Sequence, residues 1–135
     1  MYSDYYLSDE HAVLRLAKEW REHKKIIIAL DFDNTVYDFH HEGHTYADIF
    51  ELLRACKEYG CYIVLFAARG DNENEFMTNY LKEHGIEIDG INENLPVVPF
   101  QTRKIYYNIL LDDRAGLLSA YCTLKEALRI VSKDS

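Results

Sequence analysis

Two continuously apolar runs constrain the fold of this chain more than any other feature of its sequence. Residues 26–30 and 61–66 carry apolar or aromatic side chains at every position, many of them β-branched. An alternating strand has one face in water, whereas an unbroken apolar strand is buried on both faces, as in a parallel sheet. Tyr106–Leu111 has a similar character. We therefore predict three buried strands over these ranges, paired in a parallel sheet.

Segments with helical periodicity separate these strands. Ser8 is a good N-cap for a first helix over about residues 8–23. Capping-box spacing favours further helix starts at Thr45 with Asp48 and at Thr123 with Glu126. Asp71 or Asn72 is expected to cap another helix. The apolar side chains expected to face the core from the first three helices are Val13, Leu16, Ala17, Trp20, Ile49, Leu52, Leu53, Cys56, Phe76, Met77, Tyr80 and Leu81.

The alternation of strands and helices predicts an α/β fold, a three-layer α/β/α Rossmann-like arrangement around a central parallel sheet. The length suits a single domain, residues 1–135, with the N-terminal helix followed by a core over about residues 26–131. Residues 86–100 predict a short strand near Ile88 and then a loop that contains both prolines. Neither connection of the predicted core has room for a large cap domain.

Composition and charge exclude several classes of function. The formal net charge is −8, which argues against a broad basic surface for nucleic acid and against attraction to anionic membranes. No apolar run reaches the roughly 20 residues of a membrane helix, and the N-terminus lacks the features of a secretion signal. The three cysteines show no C-x-x-C spacing, so we expect reduced thiols in a cytoplasmic protein. A homo-oligomer is left open.

Polar side chains follow each predicted strand at the point where the strand ends. Asp31 and Asp33 follow the first, Ala67-Ala68-Arg69-Gly70 follows the second, and Asp112-Asp113 follows the third, with Lys104 just before it. An Asp after a strand is often only a turn residue, but the carboxyl ends of parallel strands form the ligand-binding edge of such sheets. Several carboxylates in one crevice repel unless a cation lies among them, and all-oxygen ligands favour Mg²⁺.

These residues, in this order, resemble the motifs of the haloacid dehalogenase superfamily of phosphatases. Its D-x-D-x-T motif is matched by residues 31–35, its lysine by Lys104, and its acidic pair by Asp112-Asp113. The resemblance covers about residues 26–114, and residues 92–96 also look like small cap-less members. It implies a HAD-like fold and a Mg²⁺-dependent phosphomonoester hydrolase acting on an unidentified phosphorylated substrate.

The resemblance also implies residue roles. Asp31 would be the nucleophile that forms an aspartyl-phosphate, and Asp33 the general acid and base. Lys104 would neutralise the phosphate and the Asp31 carboxylate. The metal ligands would be Asp31, the Asp33 carbonyl and Asp113, with Asp112 orienting Lys104 or a metal-bound water. The implied phosphate contacts are Asn34, Thr35, Ala67, Ala68, Arg69 and Lys104.

Two departures from the family pattern leave an alternative open. Ala67 stands where the family has a Ser or Thr hydroxyl, although a backbone N–H there could still bind phosphate, and Asn34 replaces a common Gly. A catalytically weak or inactive phosphate-binding or regulatory domain is therefore the alternative function. A receiver-like phosphoacceptor domain fits worse, because its acidic pair follows the first strand. The loop Val36–Tyr46, with His40, His41 and His44, is the candidate for a small flap, or a merely solvated polar loop.

Overall fold

A computed structural model describes residues 2–134 of the chain. Within this range one sheet has the strand order β3-β2-β1-β4, and each neighbouring pair is parallel. The strands are β1 (Ile26–Asp31), β2 (Cys61–Phe66), β3 (Gly90–Ile91) and β4 (Ile109–Leu111). The parallel sheet predicted from the apolar runs is confirmed, and its short third strand lies two residues beyond Ile88.

Helices precede, separate and follow the strands. They are α1 (Asp9–His23), α2 (Ala47–Lys57), α3 (Asn74–Glu83) and α4 (Leu117–Ser132). The first begins as predicted, because the Ser8 hydroxyl accepts a hydrogen bond from the His11 backbone N–H at 3.3 Å. The predicted inward face of α1 is buried. No helix in the described part of the chain has both the length and the apolar character to cross a bilayer.

The two faces of the sheet are covered differently. Ile26, Ile28 and Leu30 belong to the larger apolar cluster, which also contains the buried side chains of all four of these helices. Ile27, Ala29 and Val64 belong to a smaller cluster on the opposite face. That cluster is completed by Leu95, Val97 and Tyr107 from an irregular segment, residues 92–108. The α/β fold class with a central parallel sheet is confirmed, and no cap domain is present in residues 2–134. Of the two layers predicted to cover the sheet, one is helical and the other is the irregular segment 92–108.

Asn108 shortens the strand predicted over Tyr106–Leu111. Its backbone N–H donates to the Ile27 carbonyl at 2.8 Å, and its side-chain oxygen accepts from the Ile27 N–H at 2.7 Å. Its amide nitrogen donates to Glu19 at 2.8 Å, so this buried side chain is satisfied. Because the Asn108 side chain takes the place of a backbone ladder, β4 begins only at Ile109. The first half of that strand prediction was wrong.

Two predicted capping boxes are also wrong. The N-cap of α2 is Tyr46, which has a left-handed backbone and forms no side-chain cap, so Thr45 and Asp48 do not pair as expected. The last helix begins after Gly116, where the backbone turns at φ 65°, and Thr123 is buried inside it. Both pairs had the right spacing, but burial of the apolar faces determines where these helices begin.

The start of α3 also differs from the prediction. A single 3₁₀ turn, Asp71–Glu73, leads into the helix, and Glu73 rather than Asp71 or Asn72 is its N-cap. Met77 and Leu81 are fully buried as expected. Phe76, predicted to face the core, is 42% exposed and lies at the edge of the crevice described below.

The strand order places a switch of topology between β1 and β4. From β1 the chain proceeds through β2 to β3 at one edge, then returns along segment 92–108 to β4 on the other side of β1. Such switch points open a crevice beyond the carboxyl ends of the two strands, where ligands bind in α/β sheets. The crevice here lies between Asp31 at the end of β1 and Asp112 just after β4.

Candidate functional site

The first wall of the crevice is a tight turn that follows β1. The Phe32 carbonyl accepts hydrogen bonds from the N–H groups of Val36 and Tyr37, both at 3.0 Å. Asn34 adopts a left-handed backbone at φ 63°, which Asn tolerates better than most residues. Its N–H donates to the Tyr37 carbonyl at 2.8 Å and is therefore engaged within the turn. The replacement of Gly by Asn is thus compatible with the local fold.

Thr35 connects the two strand ends from beneath the crevice. Its hydroxyl donates to Asp31 Oδ2 at 3.1 Å and accepts from the Asp113 backbone N–H at 3.0 Å. The side chain is fully buried. The resemblance implies that Thr35 contacts the phosphate. In the structure Thr35 instead lies under the carboxylates and holds them in place.

Three carboxylates converge above Thr35. Asp31, Asp112 and Asp113 each offer an oxygen, and these oxygens all lie within 4.8 Å of one another. We call these three residues the acidic cluster. Burial raises the pKa of Asp31 to about 7, and a hydrogen bond to Asp113 and the charge of Asp112 add to this effect. One extra proton at this site lowers the mutual repulsion of the three groups.

This raised pKa predicts how the stability of the metal-free protein depends on pH. The folded state retains the Asp31 proton to about pH 7, whereas an unfolded Asp releases it near 3.8. The folded protein thus binds more protons over this window, and stability is lost as the pH rises from about 4 through about 7. We expect the loss from this group to be about 2 kcal/mol, allowing for solvent screening at a half-buried side chain.

Asp31→Asn isolates the contribution of this group, because Asn stays neutral at every pH. Urea unfolding in the presence of a chelator, at several values between pH 5 and 8, gives the free energy of unfolding of both proteins. The difference between them should grow with pH in favour of Asp31→Asn. In a second series with Mg²⁺ in place of the chelator, the metal should stabilise the natural protein most at high pH. Parallel pH curves would contradict the raised pKa.

The donor set of the acidic cluster fits a hard divalent cation. All three side chains supply carboxylate oxygens, and no Cys or His belongs to the group. Oxygen ligands at this charge density suit Mg²⁺, which keeps several of its waters when only a few carboxylates bind it. Asp112 is partly engaged, since its Oδ1 accepts from the Arg114 backbone N–H at 2.9 Å.

Asp33 and Arg69 form a pair at the ends of β1 and β2. Arg69 Nη2 donates to Asp33 Oδ1 at 2.7 Å, and Arg69 Nε donates to Asp33 Oδ2 at 3.1 Å. The hydrogen bonds to Asp33 raise the pKa of Arg69, although burial opposes this. The structure therefore pairs two of the predicted site residues with each other, so Arg69, an implied phosphate contact, is bonded to Asp33 instead.

The end of β2 lacks a hydroxyl and is held by an asparagine. The Ala67 N–H donates to Asn92 Oδ1 at 3.0 Å, and Asn92 Nδ2 donates to the Ala67 carbonyl at 2.9 Å. The Ala67 N–H, predicted as a substitute phosphate donor, is therefore occupied. Ala68 is an exposed residue, and its N–H has no hydrogen-bond acceptor within residues 2–134. Of these two backbone donors, Ala68 is the one available to a phosphate.

Lys104 is not brought to the acidic cluster. It lies on segment 92–108, and its backbone carbonyl accepts from the Thr102 hydroxyl. Its exposed side chain lines a surface cavity of about 360 Å³ together with Phe100 and Tyr106, and no described carboxylate lies within 4.0 Å of its Nζ. The expected Lys104–Asp31 contact is absent from the described residues. The backbone just after Lys104 is held by Asn94, whose side-chain oxygen accepts from the Tyr106 N–H at 2.7 Å.

Within the flap loop Val36–Tyr46, the Asp38 carboxylate holds the backbone by hydrogen bonds. Asp38 accepts from the backbone N–H groups of Glu42 at 3.2 Å and Gly43 at 2.7 Å. His40, His41 and His44 are all exposed and form no metal-binding group within the described residues. At the end of the loop, burial raises the pKa of Tyr46, and the nearby charges of Asp38 and Asp113 raise it further.

Sequence reasoning missed three contributors to this site. In the sequence Asn92 is only part of a motif, whereas in the structure its amide forms hydrogen bonds with both backbone groups of Ala67, from a left-handed backbone at φ 52°. Tyr37 and Phe76 were assigned to the loop and the core, yet both contact the Arg69 guanidinium. Only the spatial proximity of three chain segments identifies them, so no local sequence signal was available.

Comparisons with known proteins bear on the fold. No protein-family model matches the chain, and no curated protein matches it. A solved structure described as that of a conserved protein coded by a locus from Bacteroides thetaiotaomicron is similar, with a TM-score of 0.60 and 18% sequence identity. The match covers 82% of this chain and 93% of the other. At this identity the similarity supports the α/β fold and carries no function.

Proposed function

We propose that this protein is a Mg²⁺-dependent phosphomonoester hydrolase that works through an aspartyl-phosphate intermediate. The observation that carries the proposal is the convergence of Asp31, Asp112 and Asp113 at the topological switch point of the sheet. A crevice at this position binds ligands in α/β folds, and an all-carboxylate set suits a cation shared with phosphate. The motif order along the chain, which resembles the haloacid dehalogenase superfamily, supports the same reaction.

The proposed reaction uses Asp31 and Asp33 in turn. An Asp31 oxygen attacks phosphorus, the ester P–O bond breaks, and Asp33 gives a proton to the leaving oxygen. Asp33 then takes a proton from a water molecule, which attacks the aspartyl-phosphate and releases inorganic phosphate with Asp31 regenerated. For the first step the Asp33 carboxyl must reach the leaving group, so its orientation matters as much as its presence.

The remaining residues would bind and orient. Asp31, Asp113 and the Asp33 carbonyl would hold Mg²⁺, which when bound offsets charge on the phosphoryl group. The Ala68 N–H, which has no acceptor within residues 2–134, could donate to a phosphate oxygen. Lys104 would have to reorient from segment 92–108 to meet the phosphate. The unpaired thiols Cys56, Cys61 and Cys122 are in keeping with a cytoplasmic setting.

The test is the release of phosphate from an aryl phosphate and from a panel of phosphorylated metabolites, with Mg²⁺ and with a chelator. We expect turnover with Mg²⁺ alone, and the absence of turnover on every substrate would overturn the proposal. Because the crevice has no cap over it within residues 2–134, large substrates should be accepted as readily as small ones.

A second candidate function is phosphate binding without turnover. The observation that favours it is at Ala67, which has no hydroxyl and whose N–H is already bonded to Asn92 at 3.0 Å. A site that lacks one transition-state donor loses about a hundredfold or more in rate, by analogy with deletions in oxyanion holes. Such a domain would bind Mg²⁺ and phosphate and turn over little.

Ala67→Thr distinguishes the two candidates. If the site is a slow hydrolase, the added hydroxyl should raise kcat by about ten- to a hundredfold, because it supplies the missing donor. Ala67→Val is the matched control, since it adds the same shape without the hydroxyl and should give no increase. Equal effects of Thr and Val, or no effect of Thr despite tight phosphate binding, would favour the binding domain.

A further inference from the structure

The guanidinium of Arg69 is engaged on all of its nitrogens. Besides the two hydrogen bonds to Asp33, its Nη1 lies 3.5 Å from Glu73 Oε2. A planar guanidinium that meets a carboxylate at two points fixes the plane of both groups, which a lysine could not do. The pair therefore determines how the Asp33 carboxylate is turned.

Three aromatic rings surround the same guanidinium. Its central carbon lies 5.3 Å from the ring centroid of Phe32, 5.4 Å from that of Tyr37 and 5.7 Å from that of Phe76. We call these rings the aromatic box. They come from the turn after β1 and from α3, so the box joins two parts of the fold around one cation. Cation–π attraction of this kind strengthens where water is excluded, and the Arg69 side chain is 18% exposed.

We propose that Arg69 is a positioning residue for Asp33 and not a ligand of the phosphate. The two N–H groups that donate to Asp33 are unavailable to a phosphate oxygen while this pair is intact, and Nη1 lies beside Glu73. The inference rests on the proposed function, because it assigns to Arg69 the orientation of the group that serves as acid and base there. A misorientation of about 1 Å at such a group can cost about a hundredfold in rate.

A positioning role and a phosphate-binding role for Arg69 predict different changes in kcat and in the Kd for phosphate. In Arg69→Met, a positioning role lowers kcat by about ten- to a hundredfold, with the Kd for inorganic phosphate in the presence of Mg²⁺ nearly unchanged. A phosphate ligand would instead raise that Kd about tenfold or more, with KM following it. In an Asp33→Asn background, Arg69→Met should cause no further loss of kcat, since the positioned group is already gone.

Rescue and matched controls make the test specific. Arg69→Ala leaves the aromatic box in place, so low-millimolar guanidinium should restore part of kcat, whereas the same concentration of ammonium should not. Arg21→Met is the matched control, since Arg21 forms the same two-point contact with Asp134, at 2.8 and 3.1 Å, away from the crevice. Phe76→Ala removes one half-exposed ring and should lower kcat in the same direction if Arg69→Met fails to fold.

Each outcome decides the inference. A lower kcat with unchanged phosphate affinity, and rescue by guanidinium, supports it. Weaker phosphate binding in Arg69→Met, or a loss no larger than in Arg21→Met, overturns it while leaving the proposed hydrolase intact. If the natural protein releases no phosphate from any substrate, the proposed function fails, and this inference fails with it. The activity of the natural protein therefore distinguishes a failure of the proposed function from a failure of this inference.

Discussion

Asp31→Asn is expected to lower phosphate release by more than about 10⁴-fold, the scale seen when a catalytic nucleophile is removed. The amide has nearly the same shape as the carboxylate and can still hydrogen bond to Thr35, which lies 3.1 Å from Asp31 Oδ2. It cannot, however, attack phosphorus to form an acyl phosphate. The rate should therefore fall through kcat, with the fold retained.

An acid-quenched reaction makes this expectation specific to the proposed intermediate. Intact-mass measurement of the natural protein should reveal a species heavier by one phosphoryl group, and peptide mapping should place it on Asp31. Asp112→Asn is the matched control, because it removes a neighbouring carboxylate of the same acidic cluster and leaves the nucleophile in place. That variant should still form the adduct, although more slowly. An adduct in Asp31→Asn, or turnover within tenfold of the natural protein, would exclude Asp31 as the nucleophile.

The sequence predicted most of the framework that positions this acidic cluster. The unbroken apolar runs at residues 26–30 and 61–66 required strands buried on both faces, and both strands are present. Because these strands pair in parallel, the polar residues that follow them must lie at the same edge of the sheet. The proximity of Asp31 to Asp112 and Asp113 was therefore a consequence of topology, which hydrophobic patterning determines.

What the sequence left undetermined depends on contacts between distant side chains. Lys104 precedes the third strand as expected, but its side chain is exposed, and the backbone that follows it is held by Asn94 and Asn108. Arg69 follows the second strand as expected, but Asp33 and three rings from elsewhere in the chain hold it. The position of a residue in the sequence shows which strand end it follows. It does not show which distant side chain will form a hydrogen bond or ion pair with it.

The predicted helix starts failed for a related reason. A capping box stabilises a helix by about 1 kcal/mol, whereas burial of one large apolar side chain contributes about 1.5–3 kcal/mol. The last helix therefore begins at Leu117, ahead of its predicted cap at Thr123, and buries Leu124 and Ala127 against the sheet. Local signals decide a helix boundary only where packing leaves more than one choice open.

Asp113→Asn is expected to weaken Mg²⁺ binding by more than about a hundredfold, and Asp112→Asn by about tenfold. The two residues are adjacent and carry the same charge, so any difference between them reports on geometry. Asp113 is connected to Asp31 through Thr35, whose hydroxyl donates to Asp31 Oδ2 at 3.1 Å and accepts from the Asp113 backbone N–H at 3.0 Å. Asp112 influences Asp31 through its charge. One oxygen of Asp112 is also taken by the Arg114 N–H at 2.9 Å, which suits a residue that orients others.

Mg²⁺ affinity measured by calorimetry, and the Mg²⁺-dependent rise in melting temperature, should both follow this order. The thermal shift is independent of turnover, because a cation that binds only the folded state stabilises it by mass action. Asp89→Asn serves as the control away from the crevice, since Asp89 pairs with Lys57 at 2.9 Å and should leave Mg²⁺ affinity unchanged while lowering stability. Equal losses in the two cluster variants would make both carboxylates direct ligands, and the reverse order would assign the direct contact to Asp112.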